Sequence, residues 1–413
     1  MENKSLKPKI RFKGFTEAWE QRKFGDVGCV SMCKRIFKTQ TTDIGEVPFF
    51  KIGTFGRTAD SYITKKLFNE YKAKFSYPEK GDILISASGS IGRIVEFSGK
   101  DEYFQDSNIV WLKHNKEISN EFLKQLYQIV KWYGIEGTTI QRLYNSNILN
   151  TEFKMPSIDE QNKISSLLNC IDNLITLHQR KCDKLLNIKK SLLEKMFPKN
   201  GNNVPEIRFK GFTEAWEQRK LLDMCSIITK QTGFDYSARI KPSLVVEKNK
   251  DTYSFIQNKD FCGNNINFDT DFYIPIEVAK QYPKITLDTP SILVSISGKI
   301  GNVGFYNHKE VAFIGGAVGI CKLLNEEDGA FSVYELESDY GQKYFQSLIK
   351  ASSHANITVE DIRNIQLVLP KSDIEKKKIQ NLFENIDNLI TLHQKKLNKL
   401  KNIKKSLLEK MFV

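Results

Sequence analysis

Two long segments of this chain occur twice, and this duplication constrains the fold more than any other feature. Residues 8–23, PKIRFKGFTEAWEQRK, return as residues 205–220 with one difference, Lys9 against Glu206. Such a repeat divides the chain of 413 residues into two halves, each long enough to bury a core of its own. We therefore expect one scaffold that is used twice.

The second duplicated segment lies at the end of each half. Residues 171–197 return as residues 386–412, and both copies contain LITLHQ and NIKKSLLEKMF. Between the two kinds of repeat lie variable inserts, at about residues 24–157 and 221–371, whose sequences mostly disagree. A constant frame around two different inserts predicts two binding surfaces that recognise different targets and are held at a fixed separation.

The composition favours a polyanionic partner. The chain carries 62 Lys and Arg against 49 Asp and Glu, a formal net charge of +13 at pH 7, although basic proteins without nucleic-acid partners are also common. The seven cysteines include no CxxC pair, and no His stands near Cys29 and Cys33, so we expect reduced thiols and no metal site. A charged-then-apolar leader and a run of about 18 apolar residues are both missing, which predicts a cytoplasmic protein.

The second repeated segment predicts a long helix in each half. From about Asp159 to Phe197, and again in the second half, apolar residues recur at alternating steps of three and four without proline or glycine. This spacing is typical of a coiled-coil seam. The predicted seam consists of Ile164, Leu167, Ile171, Leu174, His178, Leu185, Ile188 and Leu192 in the first helix, and of Ile379, Leu382, Ile386, Leu389, His393, Leu400, Ile403 and Leu407 in the second.

We expect the two helices to pair with each other in antiparallel orientation, because the chain crosses a whole insert between them. Parallel pairing in a homodimer is the alternative. His178 and His393 could hold a metal or sense pH, but polar seam positions that fix the register are the favoured interpretation. A second apolar stripe predicts that more than a single helix packs on each one; it consists of Leu168, Ile175, Leu186, Leu193, Phe383, Ile390, Leu397 and Leu408.

Each insert has the pattern of a mixed strand-and-helix domain. Residues 82–97 align with residues 291–306 as two alternating strands, joined through Gly89-Ser90 or Gly298-Lys299, which suit a two-residue type II′ turn. The predicted fold class is α+β: two mixed α/β domains separated by two long helices that form an antiparallel coiled coil, with a pseudo-two-fold internal repeat.

Polar loops follow in both inserts, at residues 137–147 and 351–361. Their Arg, Asn, Gln, Ser and Thr side chains match the donors and acceptors of base edges, and nearby basic residues could grip phosphates. In the first insert the candidate DNA contacts are Lys34, Arg35, Lys38, Ser88, Ser90, Arg93, Gln141, Arg142, Tyr144 and Asn145. In the second insert they are Lys230, Gln231, Tyr236, Ser297, Lys299, Asn302, Ser353, His354 and Asn356.

Motifs for covalent chemistry do not occur in the sequence, which contains no GxxxxGK[ST], [DN]PP[YF], GxSxG or HExxH. Asp373, Glu375 and Lys377 superficially resemble a nuclease cluster. They lie at the predicted start of the second long helix, where acidic residues complement the helix dipole. We expect a non-catalytic chain that binds no cofactor or metal itself.

Taken together, the repeated segments resemble the specificity (S) subunit of type I restriction-modification systems. The resemblance rests on IRFKGFTEAWEQRK, on the proline-ended strand that closes each insert, on the helix with IDNLI and on the KKSLLEKMF ending. It covers essentially the whole chain twice. The implied organisation begins with a target recognition domain at 1–157, which includes the conserved segment 8–23, followed by a conserved central helix at 158–198. A second target recognition domain follows at 199–371 and includes the repeated segment 205–220. A conserved C-terminal helix at 372–413 comes last.

The resemblance implies that each recognition domain reads one half of an asymmetric bipartite site in double-stranded DNA. The helix pair would set the spacing and dock two modification subunits, which carry S-adenosylmethionine and methylate adenine. Two restriction subunits would add ATP and Mg²⁺. The sequence leaves three rivals open: a regulator that binds DNA without partners, an enzyme with an unfamiliar site, and a coiled-coil adaptor that ignores DNA.

Overall fold

The chain folds into two compact units, which the computed structural model describes over residues 7–134, 142–199, 202–307, 310–351 and 356–412. Residues 1–179 and 395–413 form the first unit, and residues 180–394 form the second. The two predicted long helices are confirmed as α5 (Ile158–Lys195) and α12 (Asp373–Met411). Each unit contains one mixed α/β domain and a part of both helices.

In the first unit, a four-stranded antiparallel sheet forms the centre of the domain. The strands are β1 (Glu20–Lys23), β2 (Gly28–Ser31), β3 (Val47–Phe50), β4 (Tyr62–Ile63), β5 (Ile83–Ser86), β6 (Ile94–Glu96), β7 (Tyr103–Phe104), β8 (Ile109–His114) and β9 (Glu152–Met155). The central sheet has the order β2-β8-β5-β6, and a smaller sheet has the order β4-β3-β7. The shorter helices are α1 (Phe24–Val27), α2 (Lys65–Lys74), α3 (Asn120–Leu126) and α4 (Asn145–Asn150), with a 3₁₀ turn at Lys38–Gln40.

The second unit repeats the central sheet with the order β11-β20-β17-β18, beside a second sheet of order β15-β12-β19-β16. Its strands are β10 (Glu217–Lys220), β11 (Cys225–Lys230), β12 (Thr252–Ile256), β13 (Phe261–Cys262), β14 (Asn265–Ile266), β15 (Tyr273–Pro275), β16 (Thr286–Leu287), β17 (Ser291–Ser295), β18 (Val303–Tyr306), β19 (Ala312–Ile314), β20 (Val318–Leu323) and β21 (Gln366–Leu369). Its helices are α6 (Gly233–Asp235), α7 (Lys241–Ser243), α8 (Ile276–Ala279), α9 (Gly329–Glu337), α10 (Asp339–Ala351) and α11 (Val359–Arg363), with a π-helical turn at Tyr236–Ile240 and 3₁₀ turns at Leu221–Met224, Pro283–Ile285 and Glu326–Asp328.

Both predicted hairpins are present, but the predicted two-residue turn is wrong. β5 pairs with β6 and β17 with β18, and the connections run over residues 87–93 and 296–302. Gly89 and Gly298 do adopt positive φ angles, of 66° and 72°. The strands stop earlier because the backbone just before these glycines bonds elsewhere: Leu143 N donates to Ala87 O at 2.7 Å and Ile357 N to Ile296 O at 2.9 Å.

The repeated EQRK sequences close each variable insert. β1 pairs antiparallel with β9, and β10 pairs in the same way with β21. At the inner end of each pair Lys23 lies opposite Glu152 and Lys220 opposite Gln366. The chain therefore leaves the frame and returns to it at neighbouring points of one two-stranded ribbon.

A buried ion pair ties the repeated segment to the start of each long helix. Arg11 donates two hydrogen bonds to Glu160, at 2.7 and 2.8 Å, and Arg208 donates two to Glu375, at 2.6 and 2.8 Å. Both glutamates are in the first turn of their helix and are buried. The Glu375 carboxylate thus has a structural partner, which agrees with the helix-start interpretation of this acidic cluster.

The long helices pair antiparallel, as predicted. In the first unit, Lys404 near the end of α12 pairs with Asp172 in the first half of α5 at 2.7 Å. In the second unit, Lys189 near the end of α5 pairs with Asp387 in the first half of α12 at 2.8 Å. Two such pairs, at equivalent positions of the repeat, fix the register without relying on the seam histidines.

The buried side of each helix coincides only in part with the predicted seam. Four predicted seam residues are between 39% and 45% exposed: Leu174, Ile188, Leu389 and Ile403. Four others are buried as predicted, Ile164, Ile171, Ile379 and Ile386, and the buried side also includes Leu168, Cys182, Phe383 and Leu397. The reason is that the α/β domain packs on the helices too, so Leu168 shares a core with Phe122 and Phe412, and Phe383 with Phe331. The prediction of an additional packing partner, made from the second apolar stripe, is confirmed.

A buried carboxyl group connects α9 to the closing strand of the second unit. Glu335 is 2% exposed, and Val368 N donates to its Oε1 at 2.5 Å. Oε2 has no hydrogen-bond partner within the described part of the chain. Burial raises the pKa of Glu335 well above its usual value.

Arg208→Met removes the cation from a buried carboxylate, and we expect it to lower the free energy of unfolding by about 3–5 kcal/mol. The matched control is Arg219→Met, because Arg219 pairs with Glu217 at the surface, where such a pair is worth at most about 1 kcal/mol. Urea denaturation measures both. Equal losses in the two variants would contradict the structural role of the Arg208–Glu375 pair.

Glu335→Gln should make the free energy of unfolding less dependent on pH. Because the folded state holds a proton that the unfolded state releases above about pH 4.3, this carboxyl group lowers stability as the pH rises through that value. The amide stays neutral, so the variant should gain stability over the parent chain between pH 5 and pH 8, as measured by urea denaturation. Glu277→Gln, at an exposed position, is the control. A difference between variant and parent that is the same at both pH values would refute the buried neutral acid.

Candidate nucleic-acid interface and docking faces

A cleft in the second unit brings together five of the predicted DNA contacts. Its volume is about 860 Å³, and it is formed where β11, β17 and the loop before α11 meet. The five predicted residues that line it are Lys230, Gln231, Tyr236, Ser297 and Asn356. Residues from three separate stretches of the sequence therefore face one space.

Backbone pairing builds one wall of this cleft. Ser297, in the connection after β17, forms an antiparallel bridge with Asn356. Thr358 and Asp361 then form a capping box that begins α11, with Asp361 N donating to Thr358 Oγ1 at 3.1 Å. The polar loop is thus held against the hairpin connection at its C-terminal end.

Gln231 supplies an unpaired acceptor inside the cleft. The side chain is buried, and its Nε2 donates to Ile314 O. Its Oε1 is buried with no hydrogen-bond partner among the described residues. A buried amide oxygen without a partner costs about 1–3 kcal/mol, so this wall of the cleft carries an unfavourable polar group.

Not every predicted contact of the second insert reaches this cleft. Lys299 and Asn302 line a different cavity, of about 510 Å³, together with Lys189 and Lys190. The Asn302 amide donates to two backbone oxygens, at 2.8 and 2.7 Å, so it holds the loop structure. Ser353 and His354 lie outside the described residues. Sequence reasoning missed Gln257 and Thr232, which also line the cleft; Gln257 arrives from β12, and no local pattern marks it.

The first unit repeats the pairing of hairpin connection and polar loop. Ser88 forms an antiparallel bridge with Arg142, and the Arg142 guanidinium lies 5.7 Å from the centre of the Tyr144 ring. Ser88 Oγ donates to Asn108 Oδ1 at 2.8 Å. Gln141 lies outside the described residues. The equivalent pairing in two inserts of different sequence shows that the scaffold places the polar loops.

The remaining predicted contacts of the first insert are distributed around its sheet. Arg35 pairs with Asp106 at 2.9 Å, and the Lys34 amine lies 5.0 Å from the centre of the Phe75 ring. Arg93 donates to Phe55 O at 2.9 Å, so part of its guanidinium is engaged. Ser90 lies in the connection after β5, Lys38 begins the 3₁₀ turn, and Asn145 begins α4.

Each unit also exposes the same apolar face of a long helix. In the first unit Leu174 and Leu177 of α5 are exposed, and in the second unit so are their counterparts in the repeat, Leu389 and Leu392 of α12. Single exposed leucines are ordinary, but neighbouring leucines repeated in both units make these faces candidate interaction surfaces. Ile403 and Ile188 are likewise exposed in the respective units.

Within the described ranges, no three His, Cys, Asp or Glu side chains are arranged to hold a metal ion. Over the same residues, none of the helices combines the length and apolar character needed to cross a membrane. These observations leave the cleft of the second unit, the equivalent loops of the first, and the two helix faces as the candidate functional surfaces.

Comparison with known proteins points to one family. The family model for the type I restriction modification DNA specificity domain matches residues 16–187 and 213–402, one match in each half. A putative type I restriction enzyme specificity subunit of Haemophilus influenzae is 54% identical over 151 residues, which is 36% of this chain and 39% of that protein. A type I restriction enzyme specificity subunit of Methanocaldococcus jannaschii is 24% identical over 340 residues, or 79% of this chain and 74% of the relative.

The fold agrees with the same assignment. The crystal structure of a type I restriction-modification S subunit from M. genitalium aligns over 99% of both chains with a TM-score of 0.61 at 17% identity. The two domain matches account for most of the sequence, and they coincide with the two halves of the internal repeat. This chain is therefore a member of the type I restriction-modification DNA specificity family.

Proposed function

We propose that this chain reads an asymmetric, bipartite site in double-stranded DNA, with one half-site contacted by each recognition domain. One observation carries the proposal: the bridges Ser88–Arg142 and Ser297–Asn356 hold polar loops at equivalent places in two inserts of unlike sequence. Equivalent placement fits a common task, and unlike side chains fit different base sequences. The net charge of +13 favours the approach of a phosphate backbone.

The exposed leucine faces support two docking sites for one kind of partner. The face with Leu174 and Leu177 and the face with Leu389 and Leu392 have the same local sequence, LITLHQ. Two identical faces on one chain fit two copies of the same protein, which would be modification subunits that carry S-adenosylmethionine and methylate adenine. Restriction subunits with ATP and Mg²⁺ complete the proposed complex in the cytoplasm.

The helix pair is proposed to set the spacing between the half-sites. The antiparallel register is fixed twice, by the Lys404–Asp172 and Lys189–Asp387 ion pairs, so neither helix can slide without breaking both pairs. In this proposal the chain itself is a non-catalytic scaffold, and the covalent chemistry belongs to its partners.

Exchange of residues 24–151 for the matching insert of a relative with a known site should change one half-site and leave the other unchanged. The exchanged stretch begins just after β1 and ends just before β9, so the frame keeps its two-stranded ribbon. The measurement is sequencing of methylated adenines in the genome of cells that express the chain with its modification subunit. A change in both half-sites would contradict separate readers, and methylation without sequence preference would refute the proposed function.

The double variant Leu174→Glu with Leu177→Glu should bind one modification subunit instead of two, and so should Leu389→Glu with Leu392→Glu. A partner that covers these leucines buries less than half of each side chain, so each loss removes about 1 kcal/mol of hydrophobic binding energy, to which the introduced charge adds a desolvation cost. Native mass spectrometry of the co-expressed complex counts the subunits. Asn173→Glu, at a neighbouring exposed position, is the matched control; retention of two subunits by both double variants would exclude these faces as docking sites.

A further inference from the structure

One aromatic side chain of the second unit stands in solvent on a turn that borders the cleft. Phe234 is 79% exposed, more than any other aromatic residue in the described part of the chain. Gly233 and Tyr236 of the same turn line the cleft, whereas Phe234 itself does not. The turn therefore presents its aromatic ring to solvent beside the cavity.

The backbone that carries this ring is well fixed. Thr232 caps the turn Gly233–Asp235, because its Oγ1 accepts from Asp235 N at 3.1 Å and donates to Asp235 Oδ2 at 2.5 Å. The helical turns continue to Ile240, which is fully buried. A fixed backbone presents the aromatic ring to a ligand with little loss of conformational entropy on binding.

The first unit has an exposed phenylalanine at the equivalent place. Phe37 is 59% exposed and follows β2, which occupies the same edge of the central sheet as β11 in the second unit. Its neighbours Lys34, Arg35 and Lys38 are cationic. A hydrogen bond from Phe37 N to Gln40 Oε1, at 2.9 Å, holds the backbone there.

Basic residues also precede and follow Phe234 in the sequence. Lys230 lines the cleft, and Arg239 and Lys241 are exposed one to two turns beyond the ring. Lysine and arginine in this arrangement can hold phosphates on either side of a base step. An apolar side chain placed between such contacts is the arrangement by which proteins unstack a base step and kink a duplex.

We propose that Phe234, and Phe37 in the first unit, inserts between adjacent base pairs of the half-site and kinks the duplex at that step. This inference rests on the proposed function, since it requires each domain to bind duplex DNA. Opening one step brings the base edges beside it within reach of polar residues that line the cleft, such as Lys230 and Ser297. Half-site recognition thereby includes the deformability of one base step.

The test uses the chain in complex with its modification subunits and a duplex that contains the sequence found methylated in cells. 2-Aminopurine is placed in turn at each step of both half-sites, and end-to-end fluorescence energy transfer reports the bend. For the parent complex we expect enhanced 2-aminopurine fluorescence at one step of the half-site read by the second unit. Phe234→Ala should abolish that signal, straighten the duplex and weaken binding about ten-fold.

Two controls separate the possible results. Phe272→Ala, at a less exposed phenylalanine of the same unit that lies outside the turns Gly233–Ile240, should change neither signal. The salt dependence of binding should be the same for Phe234→Ala and the parent, because the ring contacts no phosphate. Sequence-specific binding with an unchanged kink in Phe234→Ala overturns the wedge and leaves the proposed function intact. Absence of sequence-specific binding by the parent complex overturns both.

Discussion

The buried pairing of arginine with glutamate at the start of each long helix is the contact on which the arrangement of each unit depends. Arg11 and Arg208 come from the repeated segments, whereas Glu160 and Glu375 belong to the helices, so each ion pair joins the two conserved parts of its half. A carboxylate buried at a helix start also complements the helix dipole. With both ends of the frame fixed in this way, the insert between them is free to vary in sequence and length.

Two lysines of the long helices also connect the helix pair to the α/β domains. Lys189 pairs with Glu337 of α9 as well as with Asp387, and Lys404 donates to Gln128 as well as to Asp172. Burial acts to lower the pKa of Lys189, but the two carboxylates outweigh it and the pKa is raised, so the amine stays charged. The same lysine thus holds the partner helix and the domain, and a change of helix register would disturb both.

Much of this architecture follows from the sequence because it depends on local patterns and on the repeat. The long helices, their antiparallel pairing and both hairpins were all predictable. The side of each helix that is buried was not predictable. Periodicity shows that a helix face is apolar, but it does not show how many other elements pack against that face. For this reason Leu174 was assigned to the seam although it is exposed, and Cys182 was overlooked although it is buried.

The candidate sites show the same division. Local sequence patterns, a glycine-containing turn and a polar loop, predict Ser297 and Asn356 as DNA contacts, and both residues line one cleft. Gln257 comes from a distant strand, so only the tertiary fold places it there. Asn302 has the amide group expected of a base contact, but this amide donates hydrogen bonds to backbone oxygens of residues 258 and 261. These backbone contacts cannot be predicted from the sequence.

The two-stranded ribbons at β1–β9 and β10–β21 have an evolutionary consequence. Because Lys23 faces Glu152 and Lys220 faces Gln366, the entry and exit of each insert are a single strand spacing apart. A foreign domain whose own termini lie side by side can therefore replace an insert while the ribbon stays intact. The near-identical segments at residues 8–23 and 205–220 supply homologous stretches of gene that such an exchange by recombination needs, so an insert can be replaced as a whole in one step.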